Sequence, residues 1–171
     1  MKSVIVLAMH GSPPPDFPRP ELAEFMSLHA RLEAAAVSHS PALESRYEEL
    51  EQKMRQWPRS RQNDPFFASF QEIAAELERS SGYEVILGFN EFCAPSLGEV
   101  LEHAASSGAA RVFVVTPMMT RGGEHSEKDI AQAVKKAQEK HPGVRFVYAW
   151  PFETSEVAQF LAAQIKRFES D

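Results

Sequence analysis

Val4-Ile5-Val6-Leu7-Ala8-Met9-His10-Gly11-Ser12 runs through six apolar residues without a break and then stops on a histidine, a glycine and a serine. A strand packed on one face only alternates apolar and polar residues. An unbroken run is the pattern of a strand buried on both faces, as in a parallel sheet covered by helices. Val85 to Phe89 and Val112 to Thr116 repeat the pattern. A fourth run, Val144 to Trp150, carries Arg145 and Tyr148 and reads as an edge strand.

Helical stripes lie between these runs. Asp64-Pro65 is a start signal, a cap followed by proline at the first helical position. Phe66, Phe70, Ile73 and Leu77 then share a face, and Ser80-Ser81-Gly82 ends the helix. Ser96 caps a stripe of Leu97, Val100, Leu101 and Ala104 that stops at Gly108. Ser126 is placed to cap a third, with Ile130, Val134 and Ala137 inward and His141-Pro142-Gly143 as the stop. A last helix from about Thr154 turns Val157, Phe160, Leu161, Ile165 and Phe168 inward. Strand and helix alternating in this way specify an α/β, doubly wound, mostly parallel four-stranded sheet flanked by helices, for which we expect the order 2-1-3-4.

The segment between His10 and Asp64 departs from the repeat. It begins Pro13-Pro14-Pro15 and ends near Trp57-Pro58. Its first half sets Leu22, Phe25, Met26, His29 and Leu32 on one helical face. Its second half, after Ser40-Pro41, spaces Leu43, Tyr47, Leu50, Met54 and Trp57 at alternating fours and threes. That is a short coiled-coil-like seam, so the segment reads as an inserted helical hairpin over about 13–63. The 171 residues otherwise form one domain, 1–171, with no internal repeat and no low-complexity tract.

Composition narrows the function classes. The chain is 43% hydrophobic and 25% charged, and its 24 acidic against 18 basic residues give a net charge of −6. No basic run offers a surface for nucleic acid or an anionic membrane. No apolar run approaches the roughly 20 residues of a membrane span. The apolar stretch before His10 is too short for the core of a signal peptide. One cysteine, Cys93, cannot form an internal disulfide, so the expected setting is a reducing, cytoplasmic one.

Ligands of open α/β sheets bind beyond the carboxyl ends of the strands, where successive connections leave on opposite faces. Three polar side chains fall at that edge: His10 after the first strand, Glu91 after the second, and His125 in the loop after the third, within Arg121-Gly122-Gly123-Glu124-His125. With the order 2-1-3-4, His10 and His125 face each other across the crevice. Two imidazoles and a carboxylate suit a divalent first-row metal, and histidine exchanges protons near neutral pH. Gly11, Gly122 and Gly123 let a flat or anionic ligand approach the backbone N–H groups. A histidine at a strand end is by itself more often a hydrogen-bonded loop residue, and it is the joint placement of the two that marks a site. Glu91 alone reads as a solvated acid and Cys93 as a small buried hydrophobe. His29, His39, His103 and His141 read as surface or packing residues, Met118 and Met119 as pocket wall, and the Tyr47/Trp57 seam as packing.

These motifs resemble, in their order and spacing, the small CbiX-type metal chelatases that act on sirohydrochlorin. His10-Gly11-Ser12 after the opening strand, Phe89-x-Glu91-x-x-x-Pro95-Ser96-Leu97, Gly122-Gly123-Glu124-His125 followed by Lys128-Asp129-Ile130, and His141-Pro142-Gly143-Val144 all carry the likeness. It covers residues 1–12 and about 65–152. The resemblance implies a chelatase-like half of a two-lobed fold, pairing as a homodimer. It implies insertion of Co²⁺, Fe²⁺ or Ni²⁺, as substrate and without an organic cofactor, into a tetrapyrrole on a cobalamin- or sirohaem-type route. His10, His125 and Glu91 would then bind the metal and move protons. Ser12, Arg121, Gly122, Gly123 and Lys128 would meet the macrocycle's carboxylates. Ala94 stands where the family often carries an acid, and the 13–63 arm has no counterpart in the shortest members.

Two other functions use the same residues: a non-catalytic metal or tetrapyrrole carrier, and phosphoryl transfer through His10. The second is disfavoured because Met9 stands where an arginine usually precedes such a His-Gly pair.

Overall fold

The computed structural model describes residues 2–33 and 40–169. Strands β1 (Ser3–Met9), β2 (Glu84–Phe89), β3 (Arg111–Val115) and β4 (Arg145–Tyr148) form one parallel sheet in the order β2-β1-β3-β4. Central β1 pairs Val4 with Glu84 and Met9 with Phe89 on one side, and Ser3 with Arg111 and Leu7 with Val115 on the other. Its continuous apolar run is explained by this position, since Val4 to Met9 are all buried. β2 departs from the expectation of a doubly buried strand. It lies at the sheet's edge, and Val85, Ile86 and Leu87 remain half-buried.

Helices α4 (Leu97–Ser106) and α5 (Ile130–Lys140) cover one face of the sheet. Leu97, Val100, Leu101 and Ala104 of α4 and Ile130, Val134 and Ala137 of α5 meet Val4, Val6, Val112 and Val114 there. The start of α4 is a reciprocal capping box: Ser96 accepts from the Glu99 N–H, and the Glu99 carboxylate accepts from the Ser96 N–H at 2.7 Å. On the other face, α3 (Pro65–Ser81) packs Phe70 and Ala74 onto Leu7, Met9 and Phe89. Asp64 caps it by accepting from the Phe67 N–H at 2.8 Å, and Gly82, at φ +72°, closes it. Ile73, expected inward, is 43% exposed, because it stands at the margin of the stripe that Phe70, Ala74 and Leu77 define.

The arm folds as a helical hairpin of α1 (Arg19–Glu33) and α2 (Pro41–Arg55). Its own core holds Phe17, Phe25, Leu28, Leu50 and Met54, with Leu22, Leu43, Tyr47 and Trp57 packed around them. Leu28 takes the inward place expected of Met26, which is exposed, since the buried residues are Phe25 and Leu28, with Leu22, His29 and Leu32 half-buried beside them. Arg46 donates to both carboxylate oxygens of Glu24 across the pair, at 2.9 and 2.8 Å.

The largest departure is α6 (Thr154–Lys166). Phe160, Leu161 and Ile165, and Phe168 just beyond the helix, were expected inward, yet they are 54–65% exposed. The apolar stripe exists, but among the described residues the helix has no buried member. No helix among the described residues is long and apolar enough to cross a membrane.

Candidate metal and proton-transfer site

His10 is the first residue past β1, and two backbone bonds beyond the last ladder pair tie it to the chain after β2. The Asn90 N–H donates to the Met9 carbonyl at 2.7 Å, and the Glu91 N–H to the His10 carbonyl at 2.8 Å. The strand ends are thereby held together where the site begins. Gly11 must be glycine: its φ is +92°, and a Cβ would lie 2.0 Å from the Glu91 carbonyl oxygen.

The structure brings His10 and His125 together. Their rings stack with centroids 5.8 Å apart and planes 23° from parallel. Phe66, from the first turn of α3, also packs against His10, with ring centroids 4.9 Å apart. His125 stands in the first helical turn after β3, rather than in the preceding loop. That turn, His125–Asp129, is π-helical, closed by the Ile130 N–H donating to the His125 carbonyl. Single π turns of this kind recur at functional sites because they re-aim a side chain within a helix. Ser126 is correspondingly not the cap. It is buried inside the turn, and its hydroxyl donates back to the Gly123 carbonyl at 3.1 Å. Tyr148 of β4 donates to the Ser126 carbonyl at 2.8 Å, and burial pushes its phenol well above the usual range.

Hydrogen bonding sets the same tautomer in both rings. His10 Nδ1 bonds to the Gly11 carbonyl, which can only accept. His125 Nδ1 lies 2.7 Å from Asp129 Oδ2, a carboxylate oxygen that accepts. In the neutral rings each Nδ1 therefore carries the proton, and each Nε2 keeps its lone pair for a metal or a proton. A carboxylate behind an imidazole in this way also fixes the orientation of the ring as a ligand. Asp129 was missed as a site residue, although its place four residues after His125 puts the two on one helical face.

Glu91 does not join this pair. Among the described residues, no group of three or more His, Cys, Asp or Glu side chains is gathered as for a metal. The expected substrate contacts scatter along the same edge. Ser12 is half-buried, and its carbonyl accepts from Arg59 at 2.7 Å. Gly122, at φ +85°, donates its N–H to Glu127 Oε1 at 2.9 Å, and Gly123 begins the helical bonding by accepting from the Glu127 N–H at 2.9 Å. Lys128 is paired with Glu124 at 3.0 Å. Exposed Arg121 lines, with Met119, Phe152, Val157 and Leu161, a cavity of about 340 Å³ between the 119–121 loop and α6.

The residues read as packing behave so. Cys93 is fully buried, and burial pushes its thiol up. His29 pairs with the Tyr47 hydroxyl at 3.2 Å, His141 with Glu102 at 3.1 Å, and His103 is exposed on the last turn of α4. Met118 packs between the two cores flanking the sheet. His39 lies outside the described residues.

Comparison with known proteins agrees with this architecture. The chain is 27% identical over 84 residues to the sirohydrochlorin ferrochelatase of Priestia megaterium, covering 48% of this chain and 31% of the relative. It is 37% identical over 70 residues to the sirohydrochlorin cobaltochelatase of the same organism, covering 41% and 22%. The chain thus spans well under half the length of these relatives. A crystal structure from Marinobacter aquaeolei VT8, ascribed to a CbiX protein of cobalamin (vitamin B12) biosynthesis, superposes over 96% of this chain and 95% of its own. Its TM-score is 0.54 and its identity 17%, a likeness of fold. The CbiX family model matches residues 60–168. That stretch takes in three of the four strands and the His125 turn, and the chain belongs to the CbiX family.

Proposed function

We propose that this chain inserts a divalent metal ion into a sirohydrochlorin-type tetrapyrrole, with residues 1–171 acting as one chelatase-like domain into which the 13–63 arm is inserted. The observation that carries the reading is the stacked His10–His125 pair with both Nδ1 positions engaged. Metal insertion breaks two pyrrole N–H bonds, forms metal–nitrogen bonds and releases two protons. Two neutral imidazoles with free Nε2 lone pairs suit both halves of that exchange, since each can hold a metal loosely or accept a proton. Two protein ligands leave the remaining metal positions open to the macrocycle. Glu91, one strand away, is the acid we assign to relaying protons from His10 towards solvent. Arg121 and the backbone of 122–123 are assigned to the macrocycle's carboxylates.

A second copy completes the molecule in this reading. The half-face of the sheet formed by Phe113, Val115 and Val147 is only partly covered, while α6 presents its apolar stripe outward. Each half-exposed side chain of that stripe leaves on the order of 100 Å² in water. In two copies the four stripe residues alone account for about 800 Å², half of the roughly 1,600 Å² of a standard interface, and the sheet face and its surroundings would supply the rest.

The test is an anaerobic assay with sirohydrochlorin and Co²⁺, Fe²⁺ or Ni²⁺, followed by absorbance against the uncatalysed reaction. We expect acceleration that falls by about 100-fold or more in His10→Ala and in His125→Ala. Tight stoichiometric binding of metal or macrocycle without acceleration would instead make the protein a carrier.

A further inference from the structure

The arm does more than pack against the fold, because two of its arginines hold the loops that carry the site. Arg59 follows α2, and its guanidinium is only 5% exposed. One Nη donates to the Ser12 carbonyl at 2.7 Å and to Asp64 Oδ2 at 2.6 Å. The other donates to the Met54 carbonyl at 3.1 Å and to the Phe92 carbonyl. All four Nη hydrogens thus have protein acceptors. Two of those acceptors, the carbonyls of Ser12 and Phe92, lie within two residues of His10 and Glu91. Arg55 brackets the second loop from the other side, donating to the carbonyls of Asn90 at 2.8 Å and Cys93 at 2.9 Å. Its own carbonyl accepts from the Ala94 N–H at 3.1 Å. The loop needs such support, since Phe92 sits at φ +58°, where a bulky side chain is disfavoured.

A buried charge is tolerated when its hydrogens are largely used and a counter-charge is close, and of the five on Arg59 the one on buried Nε finds no partner among the described residues. Asp64, 3% exposed, supplies that charge while also capping α3, the helix that carries Phe66 against His10. One guanidinium therefore joins the His10 loop, the Glu91 loop, the arm and the start of α3.

We propose that Arg59 is a positioning residue of the site: it fixes the spacing between the loops bearing His10 and Glu91, and through it the inserted arm sets the site's geometry. This rests on reading His10 and Glu91 as site residues. Lysine keeps the charge but not the planar fork, so Arg59→Lys isolates the geometric role.

The experiment compares amide hydrogen exchange and Co²⁺ binding in the wild type, Arg59→Lys and Leu50→Ala. Leu50 is buried in the arm's own core, against which Phe92 also packs, so its truncation lowers stability and loosens that packing without removing any hydrogen bond to the loops. In Arg59→Lys we expect exchange at the Glu91 and Cys93 amides to rise by about 10-fold or more, while Val6 and Val114 in the sheet stay within about twofold. Co²⁺ affinity should fall by about 10-fold. Loop exchange that rises no more than in the sheet, or equally in Leu50→Ala, overturns the proposal. Should Arg59→Lys not fold, Asp64→Asn keeps a capping oxygen for α3 but removes the counter-charge, and the same loop amides must respond. If the wild type fails to insert any metal, the chelatase reading falls, yet the exchange comparison still decides the role of Arg59.

Discussion

At the scale of single residues, Asp129 carries the most testable claim. It engages His125 Nδ1 at 2.7 Å while remaining 43% exposed, so it is a poor candidate for a structural prop. Exposed ion pairs contribute about 0–1 kcal/mol to stability. Carboxylates that orient a ligating imidazole alter metal affinity by about 10–100-fold. Asp129→Ala should accordingly leave the melting temperature nearly unchanged while weakening Co²⁺ binding by about 10-fold or more. Calorimetric titration and a thermal melt on one sample check both halves. Unchanged affinity would remove Asp129 from the site, and a large drop in melting temperature would make its role structural. His10 differs in having a backbone carbonyl, that of Gly11, as its Nδ1 acceptor. No side-chain substitution removes that bond, so the two imidazoles can be perturbed independently.

At the scale of elements, what was legible in the sequence and what was not divide along a physical line. The strands, the Ser96 and Asp64 caps and the stripe of α4 depend on neighbours close in sequence or on burial by a full layer, and apolar period and cap chemistry report those directly. So does the placing of His10 and Glu91 at the strand ends. The π turn at His125 was not legible, because a five-residue bond differs from a four-residue one only in backbone geometry. The stripe of α6 was read correctly as apolar and wrongly as buried, since periodicity shows that a face seeks a partner and not whether the partner lies in the same chain. If a second copy is that partner, charges on the stripe should separate the pair. Leu161→Glu combined with Ile165→Glu should sediment as a monomer with unchanged helix content, where the wild type sediments as a dimer. A wild type that is already monomeric at tens of micromolar would leave α6 without this role.

At the scale of the whole molecule, the question is whether one chain or two build each reactive centre. His10 and His125 belong to the same chain and already stack at 5.8 Å, one on the loop after β1 and the other on the turn after the neighbouring β3. Pairing of copies is therefore not needed to bring the imidazoles together. In the dimer we propose, the second copy supplies burial of α6 and a wall for the macrocycle. Complementation separates this from a shared centre. When His10→Ala and His125→Ala chains are refolded together, every centre built within one chain still lacks one imidazole, so the mixture should insert metal no faster than either variant alone. Were each centre made from His10 of one copy and His125 of the other, half of the pairs would be mixed, and each mixed pair would hold one intact centre. Activity would then return to roughly a quarter of the wild-type rate under random pairing. Recovery near that level would move the reactive centre to the interface between copies. It would leave the 5.8 Å stack within each chain as a packing contact between two neighbouring loops.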